Sequence, residues 1–233
     1  MNGLEQLKIE VCDANRALVG HGLVTLTWGN VSGITPDRDR IVIKPSGVPY
    51  DKLEPSAMVV VDLDGQVVEG RLRPSTDTPT HAVLYRAFTS IGGVTHTHSP
   101  YATMFAQARL EIPCLGTTHA DLFDGPVPVT RALAPAEVAD DYELWSGRVI
   151  VERFATVDPV TSPGVLLAGH APFAWGTSAL ASLEHAVALE AIARLAHGTL
   201  TLGATTPLEA YILAKHHQRK HGDQAYYGQM SPP

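Results

Sequence analysis

Two histidines one residue apart, His96 and His98, give the strongest local indication of chemistry in the sequence. Residues 92–99 have the composition of a β-strand, and side chains two apart on a strand point to the same face. The two imidazoles would then be close enough to chelate one ion, and neutral imidazole suits zinc, iron or nickel among the first-row metals. Two histidines on a polar edge strand also arise by chance, so the motif alone leaves both interpretations open.

A third histidine, His170, ends the apolar run 165–170. Three imidazoles on zinc leave one position open for a reacting molecule, which a catalytic metal requires. Taken alone, His170 is more typical of a hydrogen-bonded core histidine. Asp77 directly precedes a predicted helix, where a carboxylate is usually a cap, and a metal ligand is the alternative. His81, on the first turns of that helix, is predicted to be structural or at the surface.

A second polar group lies at predicted strand ends and turns. Backbone amides and short hydroxyls at such places can surround a phosphate, and a lysine adds positive charge. Ordinary turn chemistry explains the same residue types, so this interpretation also needs support from elsewhere. The group comprises Asn30, Lys44, Ser46, Gly47, Ser75 and Thr76.

Four further polar residues have only weak local signals. Asp121 lies in a loop rich in glycine and threonine and reads as a turn aspartate. Tyr227, in the tail, would normally be a packing or terminal residue. Glu143 and His216 each read as part of a solvated helix face.

Helices and hairpin-like strands must position these residues. The pattern predicts one domain with a mixed or antiparallel sheet flanked by helices, because no strict strand–helix–strand rhythm is present. A hairpin is predicted around Asp64-Gly65, since Asp-Gly between β-branched runs is a strong turn signal. The predicted helices are 4–18, 79–88, 100–107, 135–142, 180–195 (ending before Gly198) and 206–222, and the predicted strands are 23–33, 41–44, 58–63, 66–69, 92–99, 148–152 and 165–170.

Composition narrows the class of protein. The 233 residues are 45% hydrophobic and 18% charged, which is typical of a folded globular chain. A net charge of −7 argues against nucleic acid or an anionic membrane as the main partner, since both call for basic patches. We expect Cys12 and Cys114 to be reduced, no signal peptide, no membrane-spanning run and a cytoplasmic location.

Taken together, the motifs make the chain resemble the class II aldolase and ribulose-phosphate epimerase family over nearly its whole length. Many separate matches in the same order are more specific than any one of them. The matching segments are 26–32 (LTWGNVS), 43–48 (IKPSGV), 75–81 (STDTPTH), 92–99 (GGVTHTHS), 116–121 (GTTHAD), 169–176 (GHAPFAWG) and 219–229 (RKHGDQAYYGQ).

The resemblance implies a fold and an assembly. The fold is a single three-layer α/β/α domain with a mainly antiparallel central sheet over residues 1–229. Residues 230–233 lie outside the resemblance and are predicted to be an unstructured tail. The assembly is a cyclic homotetramer with active sites between neighbouring subunits. The resemblance further implies a small sugar phosphate as substrate and Zn²⁺ as cofactor, with Mn²⁺ or Co²⁺ as alternatives.

The resemblance also implies roles for individual residues. The metal ligands match His96, His98 and His170, with Asp77 at the same centre, and the phosphate cradle matches Asn30, Lys44, Ser46, Gly47, Ser75 and Thr76. The proton-transfer pair matches Asp121 and Tyr227, with Glu143 and His216 as supporting groups. Thr76 stands where the family often has serine and keeps the hydroxyl.

The implied reaction inverts C4 of L-ribulose 5-phosphate, or of a stereoisomer such as L-xylulose 5-phosphate, by cleaving and re-forming the C3–C4 bond. An aldolase of the fuculose- or rhamnulose-phosphate type is the first alternative. Aldolases of the family tend to carry glutamate where this chain has Asp77, so Asp77, Asp121 and Tyr227 favour epimerisation. A non-catalytic metal-binding assembly protein on the same fold is the second alternative.

Overall fold

The computed structural model describes residues 3–203, 205–221 and 225–226. In these residues the helices are α1 (Gly3–Gly20), α2 (Thr78–Ala87), α3 (Pro100–Ala108), α4 (Thr117–Ala120), α5 (Pro135–Arg153), α6 (Ala179–Thr201) and α7 (Ala210–His221). The strands are β1 (Asn30–Ile34), β2 (Arg40–Ile43), β3 (Val59–Asp62), β4 (Val67–Glu69), β5 (Gly93–His96), β6 (Gly164–Leu166) and β7 (Pro172–Gly176).

One sheet joins the seven strands of the described chain in the order β4-β3-β2-β1-β5-β7-β6. Every neighbouring pair in it is antiparallel. The first four strands follow one another along the sheet, and β1 then pairs with β5 in a register that sets Asn30 opposite His96. The mainly antiparallel sheet expected from the family resemblance is confirmed.

Helices cover both faces of the sheet. Side chains alternate between the two faces along each strand, so the strands contribute apolar residues to a buried cluster on either side. Val42 and Val60 point into a buried cluster shared with α1 and α6. Ile41 and Val61, one residue away on the same strands, point into the opposite cluster, which is shared with α2 and α5. The three-layer α/β/α arrangement is therefore confirmed.

Strand β5, which carries His96, lies against the start of α6. A Cβ atom at Gly93 would overlap the carbonyl oxygen of Ser178, so only glycine permits this approach. Ser178 caps α6, because its hydroxyl accepts a hydrogen bond from the backbone N–H of Ala181. This close packing fixes the position of β5, and with it His96, relative to the start of α6.

Several predicted elements differ from the observed ones. Residues 148–152 are not a strand but the end of α5, where Val149 and Ile150 are buried against α2. The β-branched run suits a strand locally, but burial of one helix face outweighs that preference. Helix α6 runs through Gly198, and residues 23–29 are turns and irregular backbone before β1 begins.

Two other sequence expectations can be compared with the structure. Cys12 and Cys114 are both buried, and both are free cysteines, which agrees with the expectation that they are reduced. None of the helices in the described part of the chain is long and apolar enough to cross a membrane. The predicted tail, 230–233, lies outside the described residues, and the domain extent 1–229 stays a prediction.

Candidate metal centre and active site

The rings of His96, His98 and His170 converge at one end of the sheet. His96 is the last residue of β5, His98 follows two residues later, and His170 lies in the turn that precedes β7. One ligand nitrogen from each ring lies within 4.8 Å of the other two, and the Nε2 atoms of His96 and His170 are 3.2 Å apart. The structure thus brings together three residues that are up to 74 positions apart along the chain.

Hydrogen bonds behind two of the rings orient their Nε2 atoms toward the cluster. His96 Nδ1 donates to the carbonyl of Pro172 at 2.9 Å, which leaves a lone pair on Nε2. His170 Nδ1 lies 3.0 Å from the hydroxyl of Tyr142. Such outer hydrogen bonds are typical of metal-binding histidines, whose ligand nitrogen must be unprotonated.

The surroundings also lower the pKa of two of the three rings, His98 and His170. Burial, and then the neighbouring His96 and His98, lower the pKa of His170 to about 4. Burial followed by His96 likewise lowers the pKa of His98. Nitrogens bound to a tetrahedral ion at about 2.0–2.1 Å would lie about 3.3 Å apart, close to the observed Nε2–Nε2 distance. The cluster therefore fits a divalent transition metal.

Asp77 lies beside this cluster and is not the helix cap that its position suggested. It occupies the N-cap position of α2, yet its side chain makes no capping hydrogen bond. Its carboxylate instead accepts a hydrogen bond from Asn30 Nδ2 at 2.6 Å. Burial opposes ionisation of Asp77, but the nearby imidazoles of His96 and His81 and the hydrogen bond from Asn30 hold the pKa of Asp77 below its usual range.

His81, one turn further along α2, is buried and structural. Ser32 Oγ lies 2.7 Å from His81 Nδ1 and 2.8 Å from the hydroxyl of Tyr85, so the three residues link α2 to β1. Burial lowers the pKa of His81 to about 3, and the ring is neutral. The surface alternative for His81 is wrong, and the structural one is confirmed.

All six predicted phosphate-cradle residues line one cleft with the histidine cluster. The cleft has a volume of about 480 Å³. Asn30 links the phosphate-cradle side of the cleft to the side with the histidine cluster, because its Nδ2 donates to both Ser75 Oγ at 3.0 Å and Asp77 Oδ2. The lining residues include Asn30, Lys44, Ser46, Gly47, Ser75, Thr76, Asp77, His96, His98, Glu143 and His170.

Lys44 is the buried positive charge of this cleft. It is 2% exposed, and its ammonium donates only long hydrogen bonds, each 3.4 Å, to the carbonyls of Thr27 and Pro45. No carboxylate of the described residues forms an ion pair with it. Burial lowers the pKa of Lys44 to about 8, although Asp77 opposes the shift. A buried ammonium of this kind gains from an anionic ligand.

Asp121 and His216 meet each other outside the cleft. Asp121 follows α4, and its Oδ1 lies 3.0 Å from His216 Nδ1 on α7. Arg219 donates to both carboxylate oxygens, at 3.0 and 2.7 Å. Burial opposes ionisation, but the bonds from Arg219 and His216 lower the pKa of Asp121. Tyr227, the other predicted proton-transfer residue, lies outside the described residues.

Three residues near these groups were missed by the sequence reasoning. Tyr142 and Trp28 line the cleft, and the Trp28 ring lies 6.1 Å from the His98 ring. Arg219 holds Asp121, although only its place in a family segment drew attention to it. No spacing signal in the sequence identifies Tyr142, because its position depends on a break in α5.

Comparisons with known proteins agree with this fold. The sequence profile of the class II aldolase and adducin N-terminal domain matches residues 9–197. L-ribulose-5-phosphate 4-epimerase UlaF of Salmonella paratyphi B is 52% identical over 97% of this chain and 100% of that protein. The protein of the same name from Salmonella typhi is 51% identical over the same shares.

Solved structures with the same fold are also known. L-fuculose 1-phosphate aldolase is similar with a TM-score of 0.78 and 23% identity, covering 92% of this chain and 95% of that one. YgbL of Klebsiella pneumoniae is similar with a TM-score of 0.71 and 25% identity, covering 92% and 99%. Because the sequence identity to L-fuculose 1-phosphate aldolase is only 23%, that similarity shows the fold alone.

Proposed function

This chain belongs to the family of class II aldolases and adducin N-terminal domains, and on that premise we propose that it is an epimerase that interconverts L-ribulose 5-phosphate and D-xylulose 5-phosphate. The observation that carries the proposal is the full-length similarity to proteins named L-ribulose-5-phosphate 4-epimerase. The cleft adds a chemical reason, because it combines three imidazoles with a buried ammonium and hydroxyl-rich loops.

The substrate's own chemistry determines what the site must provide. The C4 hydrogen is not acidic, since the ketone lies at C2. Removal of the C4 hydroxyl proton by a base instead lets the C3–C4 bond break, giving an enediolate and glycolaldehyde phosphate. The aldehyde turns, the bond re-forms on its other face, and an acid protonates the new C4 alkoxide. Inversion therefore requires proton-transfer groups on opposite sides of the substrate.

We assign the metal to His96, His98 and His170, with Asp77 beside them. Three neutral imidazoles suit Zn²⁺ best, and Mn²⁺ or Co²⁺ are the alternatives. When bound, such an ion supplies Lewis-acid stabilisation of negative charge on substrate oxygens. The hydrogen bonds from Asn30 and to Pro172 hold the surrounding side chains in place for that role.

We assign the phosphate to the loops around Lys44. The Lys44 ammonium supplies charge, and the hydroxyls of Ser46, Ser75 and Thr76 can donate to phosphate oxygens. Asn30 contributes through Ser75, because both of its amide protons are directed to Ser75 and Asp77. Held by its phosphate, the aldehyde fragment can turn without leaving the cleft.

We assign the proton transfers to Asp121 and Tyr227, with Glu143 and His216 in support. Glu143 lines the cleft of its own chain, whereas Asp121 and His216 lie outside it. A homotetramer in which a neighbouring subunit brings Asp121, His216 and Tyr227 to each cleft would complete the site, and we propose that assembly.

The test is incubation of the zinc-loaded protein with L-ribulose 5-phosphate, followed by NMR of the sugar. Conversion to D-xylulose 5-phosphate that is lost on chelation and restored by Zn²⁺ is the expected result. Release of glycolaldehyde phosphate without inversion at C4 would indicate that the protein is an aldolase and not an epimerase. Inactivity on L-ribulose and L-xylulose 5-phosphates alike, in a protein with full metal content, would support the non-catalytic alternative.

A further inference from the structure

Helix α5 is interrupted at Asp141, within reach of the metal centre. Asp141 has φ −156° and ψ 96°, values that are extended and not helical. Its Oδ1 accepts a hydrogen bond from the backbone N–H of Leu144 at 3.0 Å. This is the bond an N-cap residue makes to the third residue of a helix. Asp141 therefore ends one helical segment and starts another, whose first residue is Tyr142.

The second segment is held firmly against α2. Thr80 Oγ1, on α2, donates to the carbonyl oxygen of Glu143 at 2.6 Å. One turn later, a Cβ atom at Gly147 would lie 2.7 Å from Cβ of Val83, so glycine permits the two helices to touch. Because α2 also begins beside Asp77, these contacts fix Tyr142 relative to the histidine cluster.

The Tyr142 hydroxyl reaches the back of one ring of that cluster. Its oxygen lies 3.0 Å from His170 Nδ1, while His170 Nε2 faces His96. When His170 gives its Nε2 lone pair to a metal, the single ring proton must be on Nδ1, and that N–H needs an acceptor. The carbonyl of Pro172 has this role for His96, and Tyr142 is the residue placed to have it for His170.

We infer that Tyr142 is a positioning residue for the metal ligand His170, and that the helix break at Asp141 places the Tyr142 hydroxyl beside the His170 ring. The Tyr142 hydroxyl accepts a hydrogen bond from His170 Nδ1–H, fixes the ring in the orientation and tautomer that bind metal, and raises the basicity of Nε2. The inference rests on the metal centre assigned under the proposed function and not on the identity of the sugar.

The experiment measures zinc affinity by competition with a chromogenic chelator. Loss of such an outer hydrogen bond typically weakens metal binding 10- to 100-fold, so Tyr142→Phe should bind zinc about 10- to 100-fold more weakly than the wild type. Tyr211→Phe, at a position 75% exposed, is the matched control and should bind zinc normally. A wild-type affinity in Tyr142→Phe would overturn the positioning role.

Variants of Asp141 test the helix break separately. Asp141→Ala removes the acceptor for Leu144 N–H and should weaken zinc binding severalfold, whereas Asp141→Asn keeps an acceptor oxygen and should not. If Asp141 acts through Tyr142, the double variant Asp141→Ala/Tyr142→Phe should bind zinc no more weakly than Tyr142→Phe. Fully additive losses would refute that link.

A measurement on the unaltered protein guards against variants that fail to fold. In ¹⁵N-edited NMR of the zinc-loaded wild type, the His170 ring should carry its proton on Nδ1, with slow solvent exchange. A proton on Nε2 would overturn the inference. Neither this spectrum nor the chelator titration needs substrate, so inactivity on pentulose phosphates would refute the proposed reaction and leave this inference standing.

Discussion

Raising the pH through about 8 should remove the positive charge of Lys44 and weaken binding of a sugar phosphate. Burial lowers the pKa of Lys44 from 10.5 to about 8, so the side chain is charged below that pH and neutral above it. A phosphate monoester has its second pKa near 6 and is a dianion above that value. Binding should therefore be tightest between about pH 6 and pH 8.

The size of the effect follows from the isolation of the ammonium. Lys44 makes only two long hydrogen bonds to carbonyl oxygens, so a phosphate would be its main strong partner. A hydrogen bond to a charged group contributes about 1.5–3 kcal/mol, which corresponds to about a 10- to 150-fold change in affinity. Above the pKa, KM should rise by about tenfold per pH unit and level off within about two units.

The assay is KM for the sugar phosphate from pH 6 to pH 10, with metal content checked at each point. Lys44→Arg should remove the alkaline rise, because arginine stays charged throughout this range. Lys44→Met is the matched uncharged variant, and its KM should be high and nearly independent of pH above 7. Equal KM values for Lys44→Met and the wild type at pH 7 would exclude Lys44 from phosphate binding. A wild-type KM that stays flat from pH 7 to pH 10 would refute the lowered pKa.

Three further perturbations have expected outcomes. His96→Ala should lose metal and activity together, and stoichiometric zinc by elemental analysis after dialysis would contradict its role as a ligand. Gly93→Ala forces a Cβ atom onto Ser178 and should cost about 1–3 kcal/mol, or a Tm decrease of about 2–12 °C, whereas an unchanged melting curve would mean that β5 can move. Arg219→Ala removes a bond that lowers the pKa of Asp121, so the acidic limb of the kcat/KM profile should move to higher pH; an unmoved limb would argue against Asp121 as a titrating group.

Much of the fold could be predicted because its signals are local. The hairpin around Asp64-Gly65 joins β3 and β4 as expected, since the turn chemistry and the β-branched runs lie next to each other. The strand predicted over residues 148–152, now the end of α5, was wrong because Val149 and Ile150 suit a strand and a helix equally well. Only packing of that face against α2 decides for a helix, and single-sequence patterns do not contain that contact.

The site residues also divide into those that local sequence patterns identify and those whose place depends on distant contacts. Spacing predicts that His96 and His98 share one face, and residue type alone suggests His170 as a third ligand; only the family resemblance and the structure connect the three. The local pattern assigned Asp77 to a helix cap, whereas Asn30, which is distant in sequence, holds its carboxylate. Tyr142 could not be predicted, because its place depends on a helix break and on a histidine 28 positions away.

The strand order also determines when the site can form during synthesis. Strands β1 to β4 are sequential neighbours, so the loops around Lys44 can take shape while the rest of the chain is still on the ribosome. The turn with His170 comes about a hundred residues later, and it joins the cluster only when β7 pairs with β5. The three-histidine cluster can therefore be complete only after all seven strands of the described chain have been synthesised. A truncated product ending before His170 would keep the residues around Lys44 but would lack one of the three imidazoles of the cluster.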